Sequence, residues 1–480
     1  MKLKEGQAVW VEDPAIAKDN LYNLGHVVTV DGNKATVETE HNGKRQEIVV
    51  SVEECYHANQ GNHVPDHCQL VYLSQPTLLE NTRARFEDDK IYTYVGDILV
   101  AINPFKWILG IYDESIMVQC KGKKLHNTAC GPHVFSVSER AFVFMKKFNR
   151  PQCVVVSGES GSGKTETNKQ LMNFLVYRGS AEGQTSDLTQ KILDANPILE
   201  GFGNAKTTRN KNSSRFGRYV LVRFSEDFQV IGAQVRVFLL ERSRVTAASN
   251  AGERAYHAFY QIVCDGTYIQ PTQPEAHRYL SLSGCTTIDG IDDVKDFKEC
   301  NEAFTSVGVS KSDVDALWGM VAAFLKLGSI DFGDGDQSAI SDTAALADIE
   351  KLLGVTDFKD NLLKRAIKVG NDTTMVEHNP KQAADARDAL VKIMYSRLFS
   401  YLVVLINKTV DSPDVSDRYI GLLDVYGFEF FQVNSFEQVC THAQQACYPG
   451  VHTHVPEACM LPRRDAAYEC AMHASMYPLC

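Results

Sequence analysis

Gly158, Glu159, Ser160, Gly161, Ser162, Gly163, Lys164 and Thr165 follow one another as G-x-x-x-x-G-K-T, and residues of these types at this spacing grip the phosphates of a nucleotide. The glycines let the backbone wrap a phosphate and aim successive N–H groups at its oxygens, helped by the positive end of a following helix dipole. Lys164 supplies a point charge for the β- and γ-phosphates, and the Thr165 hydroxyl suits Mg²⁺. A glycine-rich surface turn could carry the same letters. The flanks argue for the phosphate loop. The apolar run Gln152–Ser157 precedes it, and a helical pattern follows, with Leu171, Phe174 and Leu175 on one face and Gly179 available past its end.

A phosphate loop by itself does not separate kinases, GTPases, ATPases and motors, so two further segments matter. Asn210–Gly217 reads Asn-Lys-Asn-Ser-Ser-Arg-Phe-Gly, a polar loop whose hydroxyls and guanidinium suit closure over a γ-phosphate. Asp424–Glu429 sets a carboxylate at a strand end, where it reaches the water shell of Mg²⁺, and Gly427 offers a backbone N–H to the γ-phosphate. Each segment alone reads equally well as a solvated turn. Their order behind a phosphate loop is what makes the set specific.

The elements that must hold these groups alternate along the chain. Residues 7–52 carry short β runs, Ala8–Val11, His26–Val30, Ala35–Glu38 and Glu47–Val50, separated by the hairpin signals Asp31-Gly32 and Asn42-Gly43. They predict a small antiparallel barrel over residues 1–58. From about residue 68 strands and helices alternate. The expected strands are Tyr94–Ile102, Tyr219–Phe224 and Gln229–Leu240, the last two joined by a turn at Ser225–Phe228. Asn379 and Pro380 read as the N-cap and first position of a helix reaching Asn407, and Tyr419–Leu423 as a final strand. Gly179–Ser186 and Gly333–Asp336 read as mobile loops, and no internal repeat is visible.

Composition bounds the function. The chain has 480 residues, 44% of them hydrophobic, enough for a large core and roughly two to four domains. A net charge of −11 argues against a nucleic-acid binder. The start Met-Lys-Leu-Lys-Glu-Gly-Gln lacks the apolar core of a signal peptide, and the apolar stretch Tyr401–Ile406 is too short to span a bilayer. Eight of the 13 cysteines are scattered without CxxC spacing, as in a reducing compartment. The expectation is a soluble cytoplasmic protein without a transmembrane segment.

From about residue 68 to Gln438 the sequence resembles the myosin motor head. The resemblance rests on Ile91–Tyr94, Asn103–Lys106, Gly158–Glu166, Asn210–Gly217, Leu240–Arg244, Gly252–Tyr260, Asp385–Leu390 and Asp424–Glu429. Kinesins share the Ser-Ser-Arg idea but lack the Gly-Glu-Ser-Gly start. The resemblance implies an α/β phosphate-loop NTPase head, with a central mixed sheet flanked by helices behind the small barrel that many myosins carry. It implies an actin-based, cytoskeletal motor ATPase that takes MgATP. Lys164 and Thr165 would hold phosphates and metal, Ser214 and Asp424 would be the further metal-side groups, and Ser213 would position the attacking water. Asn210 and Asn212 would line the phosphates, and Arg215 would pair with Glu429 to close the site while Gly427 senses the γ-phosphate. Asn103, Lys106 and Tyr112 match the adenine segment, with the Asn-Pro to Tyr spacing one residue longer than the usual pattern; Thr167-Asn168 stands where the family usually has Asn-Thr. The loop ahead of Asp385 would face actin, with Asp372 at a position the family keeps acidic or phosphorylatable.

After Gln438 the texture changes. Residues 439–480 hold Cys440, Cys447, Cys459, Cys470 and Cys480, with His442, His452, His454 and His473, but no CxxC or HxxxH pair to favour zinc. The segment reads as translated intron or out-of-frame sequence. By the resemblance, the relay helix, lower cleft, converter, lever and an internal sheet strand would then be missing from a head spanning residues 68–438, and light chains would need a full-length form. Two alternatives therefore stand beside the motor: a truncated fragment, unstable or catalytically dead, and a phosphate-loop ATPase of another purpose.

Overall fold

A computed structural model of the chain describes residues 3–12, 21–41, 43–59, 61, 63–124, 131–180, 187–246, 251–270, 272–369, 372–411 and 416–424. The chain divides into two compact units, Met1–Val143 and Phe144–Cys480.

The first unit begins with strands β1 (Ala8–Val11), β2 (Asn23–Asp31), β3 (Lys34–His41), β4 (Lys44–Ser51) and β5 (Tyr56–His57), an antiparallel sheet in the order β4-β3-β2-β1-β5. Alternation drives it: Val9, Val11, Val27, Ala35 and Val37 point to one core with Val52 and Cys55. β5 is too short for alternation to reveal in the sequence. Helix α1 (Gln75–Glu87) follows, then β6 (Tyr92–Val95), β7 (Ile98–Ala101), α2 (Glu114–Cys120) and α3 (Val134–Phe148). The single strand expected over Tyr94–Ile102 is instead the antiparallel pair β6–β7. Gly96, at φ +58°, supplies the left-handed residue of the turn between them, a reversal that the run of apolar letters on both sides conceals.

In chain order the second unit contains β8 (Gln152–Val156), α4 (Lys164–Gly179), α5 (Asp187–Gly203), β9 (Asn204–Ala205), β10 (Ser213–Ser214), β11 (Gly217–Phe224), β12 (Val230–Phe238), α6 (His257–Asp265), α7 (Arg278–Ser281), α8 (Asp293–Val307) and α9 (Lys311–Gly328). Then come α10 (Thr343–Leu353), α11 (Phe358–Leu363), β13 (Lys364–Val369), β14 (Asp372–Glu377), α12 (Pro380–Val410) and β15 (Tyr419–Asp424). Its sheet runs β12-β11-β15-β8. β11 is antiparallel to both β12 and β15, whereas β15 and β8 are parallel. The sheet is therefore mixed, as the resemblance implies. β11 is buried on both faces along most of its length, which explains its near-continuous apolar run. Among the described residues β8 has one strand partner, and on it Val155 is 49% exposed and Cys153 is exposed.

One further expectation needs correcting here. Gly179 is the last residue of α4 rather than a cap beyond it; a Cβ there would lie 2.5 Å from Val230 Cγ2 and 3.0 Å from Phe224 Cε1, so the glycine serves helix-on-sheet packing. Tyr401–Ile406 belongs to α12, which is long and apolar enough by composition to cross a membrane. α12 is nevertheless a core helix. Val391, Tyr395, Leu398, Phe399, Leu402 and Ile406 are buried, and Asn407 donates to Val235 O and accepts from Val235 N, both at 2.8 Å. Asn379 caps it, accepting from Gln382 N at 2.8 Å. Of the segments read as mobile, residues 181–186 lie outside the described set, and residues 334–337 form a bend after Gly333, whose N–H donates to Asp331 Oδ1.

Candidate nucleotide site

The parallel pairing of β8 with β15 fixes the geometry of the candidate site. Asp424 lies opposite Val156, two residues before Gly158, so both strands deliver their C-terminal ends to the same rim of the sheet, where open α/β sheets bind ligands. The Thr165 hydroxyl donates to Asp424 Oδ2 at 3.4 Å across a sequence separation of 259 residues. The loop between β8 and α4 turns through Gly161 (φ +83°) and Gly163 (φ +93°), conformations that side-chain-bearing residues avoid. α4 starts directly at Lys164, so the positive end of its dipole faces the loop. Lys164 Nζ donates to Gly158 O at 2.7 Å and Glu159 O at 2.8 Å, carbonyl contacts that phosphate oxygens would replace.

The Asn210–Gly217 segment lies against this loop. Ser160 Oγ and Ser213 Oγ are 2.9 Å apart, and Arg209 Nη1 sits 3.6 Å from Glu159 Oε2. Thr207 and Asn210 close a tight turn through Thr207 N to Asn210 O at 2.8 Å. Asn210 Oδ1 accepts from Asn212 N at 3.1 Å. The Asn212 amide is anchored inward, accepting from Asn204 Nδ2 at 2.9 Å and donating to Glu200 Oε2 at 3.0 Å. Ser213 and Ser214 pair with Ala205 and Asn204 through β9–β10. Ser213 is buried and Ser214 partly so, and the Ser214 hydroxyl donates to Phe216 O at 3.3 Å.

Arg215 is 2% exposed. Its Nη1 donates to Ser213 Oγ at 3.2 Å and its Nε to Glu241 Oε2 at 2.6 Å. Glu241 also accepts from Arg244 Nε at 2.7 Å, and Arg244 Nη2 reaches Glu253 Oε2 at 3.1 Å. Four fully interior charges, two of each sign, thus neutralise one another behind the polar loop. Burial alone would push the Glu241 carboxyl up; the Arg215 and Arg244 guanidiniums outweigh it and hold its pKa down at about 2. Beside them burial, followed by the Arg254 and Arg244 charges, lowers His257 to about 3, so its imidazole is neutral and its Nε2 meets Asn212 Oδ1 at 3.2 Å.

The expected partner of Arg215, Glu429, lies outside the described residues, as does Gly427; in the described structure Glu241 takes the guanidinium. Asn103, Lys106 and Tyr112 belong to the first unit, each with a local partner. Asn103 Oδ1 accepts from Phe105 N at 2.9 Å, Lys106 Nζ lies 2.6 Å from Asp89 Oδ1, and the Tyr112 and Tyr92 hydroxyls are 2.8 Å apart. Asp372 opens β14, which pairs with β13 ahead of α12. Glu200, Asn204, Glu241, Glu253 and His257 carry no role in the sequence reading. Leu240–Arg244 and Gly252–Tyr260 do stand out as charged strings beside apolar runs, but their pairing appears only in three dimensions.

For Mg²⁺ the donor chemistry fits. The hydroxyls of Thr165 and Ser214 and the carboxylate of Asp424 are hard oxygen ligands of the kind that ion takes, and two of the three already meet. Asp424 is 5% exposed, and among the described residues its carboxylate is within bonding reach of Thr165.

Residues 64–443 match the family model described as myosin head, motor domain. The chain is similar to Myosin-6 of Arabidopsis thaliana, 39% identical over 453 residues, covering 91% of this chain and 29% of that relative. It is 37% identical to Myosin-16 of the same plant over 450 residues, covering 90% of this chain and 35% of the relative. Myosin-5 gives 39% over 450 residues, with 91% and 29% covered. The chain spans about a third of the length of these relatives or less.

Proposed function

Given that this chain belongs to the myosin head family, we propose that it binds and hydrolyses MgATP and works as an actin-based motor ATPase of the cytoplasmic cytoskeleton. The observation that carries this reading is the meeting of three distant segments at one sheet rim: Ser160 with Ser213 at 2.9 Å, and Thr165 with Asp424 at 3.4 Å.

The roles follow from the atoms. Lys164 exchanges its two carbonyl contacts for the β- and γ-phosphates, while the loop N–H groups and the α4 dipole share their charge. Asn210, Asn212, Glu159, Ser160 and Ser162 shape the wall around the phosphates. Thr165, Ser214 and Asp424 would hold Mg²⁺, directly or through water, and the ion would supply positive charge to the phosphates. The Ser213 hydroxyl, buried next to Arg215, orients a water for in-line attack. Hydrolysis of this type needs positioning and charge stabilisation more than a strong base. Arg215 and Glu429 close the site as a charge-assisted pair, Gly427 offers its N–H to the γ-phosphate, and opening of these loops couples phosphate loss to motion. By the resemblance, Asn103, Lys106 and Tyr112 would be the adenine-binding residues, and the segment ahead of Asp385 would face actin.

The test is phosphate release from MgATP by the full chain, with and without actin filaments, against Lys164→Ala. Turnover that actin accelerates and that Lys164→Ala abolishes together with nucleotide binding supports the reading. Turnover indifferent to actin refutes the motor and leaves a phosphate-loop ATPase. Undiminished nucleotide binding by Lys164→Ala refutes the site.

A further inference from the structure

The segment carrying Ser213 and Arg215 is fastened at both ends to one buried charge cluster. At its start Arg254 N donates to Lys206 O at 3.1 Å and Thr208 N to Glu253 Oε1 at 3.3 Å; Lys206 Nζ also donates to Gly252 O. At its end a single residue, Glu241, holds Arg215 twice. Its backbone N–H donates to Arg215 O at 3.0 Å, and its side chain takes Arg215 Nε at 2.6 Å. Glu241 is itself immobilised: Tyr256 Oη donates to its carbonyl at 2.7 Å, and Arg244 grips its carboxylate at 2.7 and 3.3 Å. Glu241, Arg244, Glu253 and Tyr256 are all buried, so water cannot replace any of these partners.

A guanidinium has a rigid fork. With Nε taken by Glu241, the rotation of the plane is fixed, and Nη1 is delivered to Ser213 Oγ at 3.2 Å. We propose that Glu241 is a positioning residue for the hydrolytic step, seating Arg215 so that the guanidinium orients the Ser213 hydroxyl. The proposal rests on the reading of the site as one that hydrolyses MgATP. In this role Glu241 acts through Arg215, while its contacts with Arg244 and Tyr256 hold it in place. A merely structural ion pair would stabilise the fold without any such dependence on Arg215, and that difference is measurable.

The experiment uses the full chain with Glu241→Gln, Arg215→Gln and the double variant. Glu241→Gln keeps shape and an acceptor oxygen but gives up the charge that holds Nε. Single-turnover hydrolysis of MgATP is expected to slow by about 100-fold, the scale of a misplaced reacting group, while the affinity for a fluorescent ATP analogue stays within about threefold because Lys164 and the glycine loop are untouched. The double variant is expected to hydrolyse at the rate of Arg215→Gln, since a residue acting only through Arg215 has nothing left to act on. A Glu241→Gln rate within about threefold of the original overturns the proposal, as does a double variant slower than the unaltered chain by the product of the two single effects. Where Glu241→Gln does not fold, the double variant decides, because it removes both charges of the pair; failure of the double to fold while Arg215→Gln folds makes Glu241 a scaffold residue and overturns the proposal. Absence of hydrolysis by the unaltered chain refutes the functional reading instead.

Discussion

Gly203, the last residue of α5, sets the seat of the segment that carries Ser213 and Arg215. Its carbonyl accepts from Arg215 N at 3.0 Å, and the Phe216 ring occupies the space a side chain there would take. A Cβ added there would stand 2.3 Å from Phe216 Cε1, 2.6 Å from Phe216 Cδ1 and 3.0 Å from Phe399 Cζ. Carbon atoms prefer about 3.5–4.0 Å, so Gly203→Ala requires the Phe216 ring to withdraw by more than about 1 Å. It has nowhere to go: Phe216 is 4% and Phe399 1% exposed, and their centroids are 4.9 Å apart. Overpacking of this kind costs about 1–3 kcal/mol, offset by at most about 1 kcal/mol of helix propensity at a terminal position. The expected net loss is about 1–2 kcal/mol, read from urea denaturation followed by circular dichroism. In a Phe216→Leu background the clash is relieved, and Gly203→Ala should cost less than about 0.5 kcal/mol. Because Phe216 adjoins Arg215, the single variant should also weaken hydrolysis more than ATP binding. Equal costs of Gly203→Ala in both backgrounds would show that the ring contact does not limit this position.

Two further outcomes follow from the buried charges, and a third from the resemblance. Arg244→Met leaves the Glu253 carboxylate without its guanidinium in the interior and Glu241 with Arg215, and should cost about 3–5 kcal/mol, a loss that shrinks when Glu253→Gln is added; a deeper loss in the double variant, by urea denaturation, refutes the pairing. His257, held at about 3 against an ordinary 6.5, is neutral when folded, so its contribution is complete above pH 6.5 and drains away as pH falls towards 3. At about 1.4 kcal/mol per pH unit the loss reaches about 2 kcal/mol by pH 5, and His257→Gln should flatten the dependence of the urea midpoint on pH over that window; unchanged slopes refute it. Arg215→Glu should block phosphate release and Glu429→Arg in the same chain restore part of it, whereas full turnover in either single variant excludes that pair.

The sequence was most legible where a local rule suffices. The glycine loop between β8 and α4, the Asn379 cap of α12 and the β11–β12 hairpin each depend on neighbours within a few residues, and each appears with the expected elements. The β6–β7 reversal was hidden because Gly96 and Asp97 interrupt an apolar run only briefly. Gly179 was misread because a cap and a packing contact both call for glycine, and only the approach of Val230 distinguishes them. The partners of Arg215 were beyond reach for a different reason: Glu241 is 26 residues away, and spacing carries no information about which carboxylate a buried guanidinium will meet. The roles given to Asn103, Lys106, Tyr112, Gly427 and Glu429 rest on resemblance.

Among the described residues the strand partner of β8 comes from very far along the chain. The 259 residues between Thr165 and Asp424 take roughly 13–52 s to synthesise at about 5–20 residues per second, whereas the β11–β12 hairpin can close in about 1–10 μs once it has emerged. During that interval the phosphate loop has left the ribosome without β15, and the β15-facing edge of β8 is an open strand edge of the kind chaperones cover. A nascent chain arrested between Thr165 and Tyr419 carries every letter of the phosphate loop and lacks the strand that brings Asp424 to it.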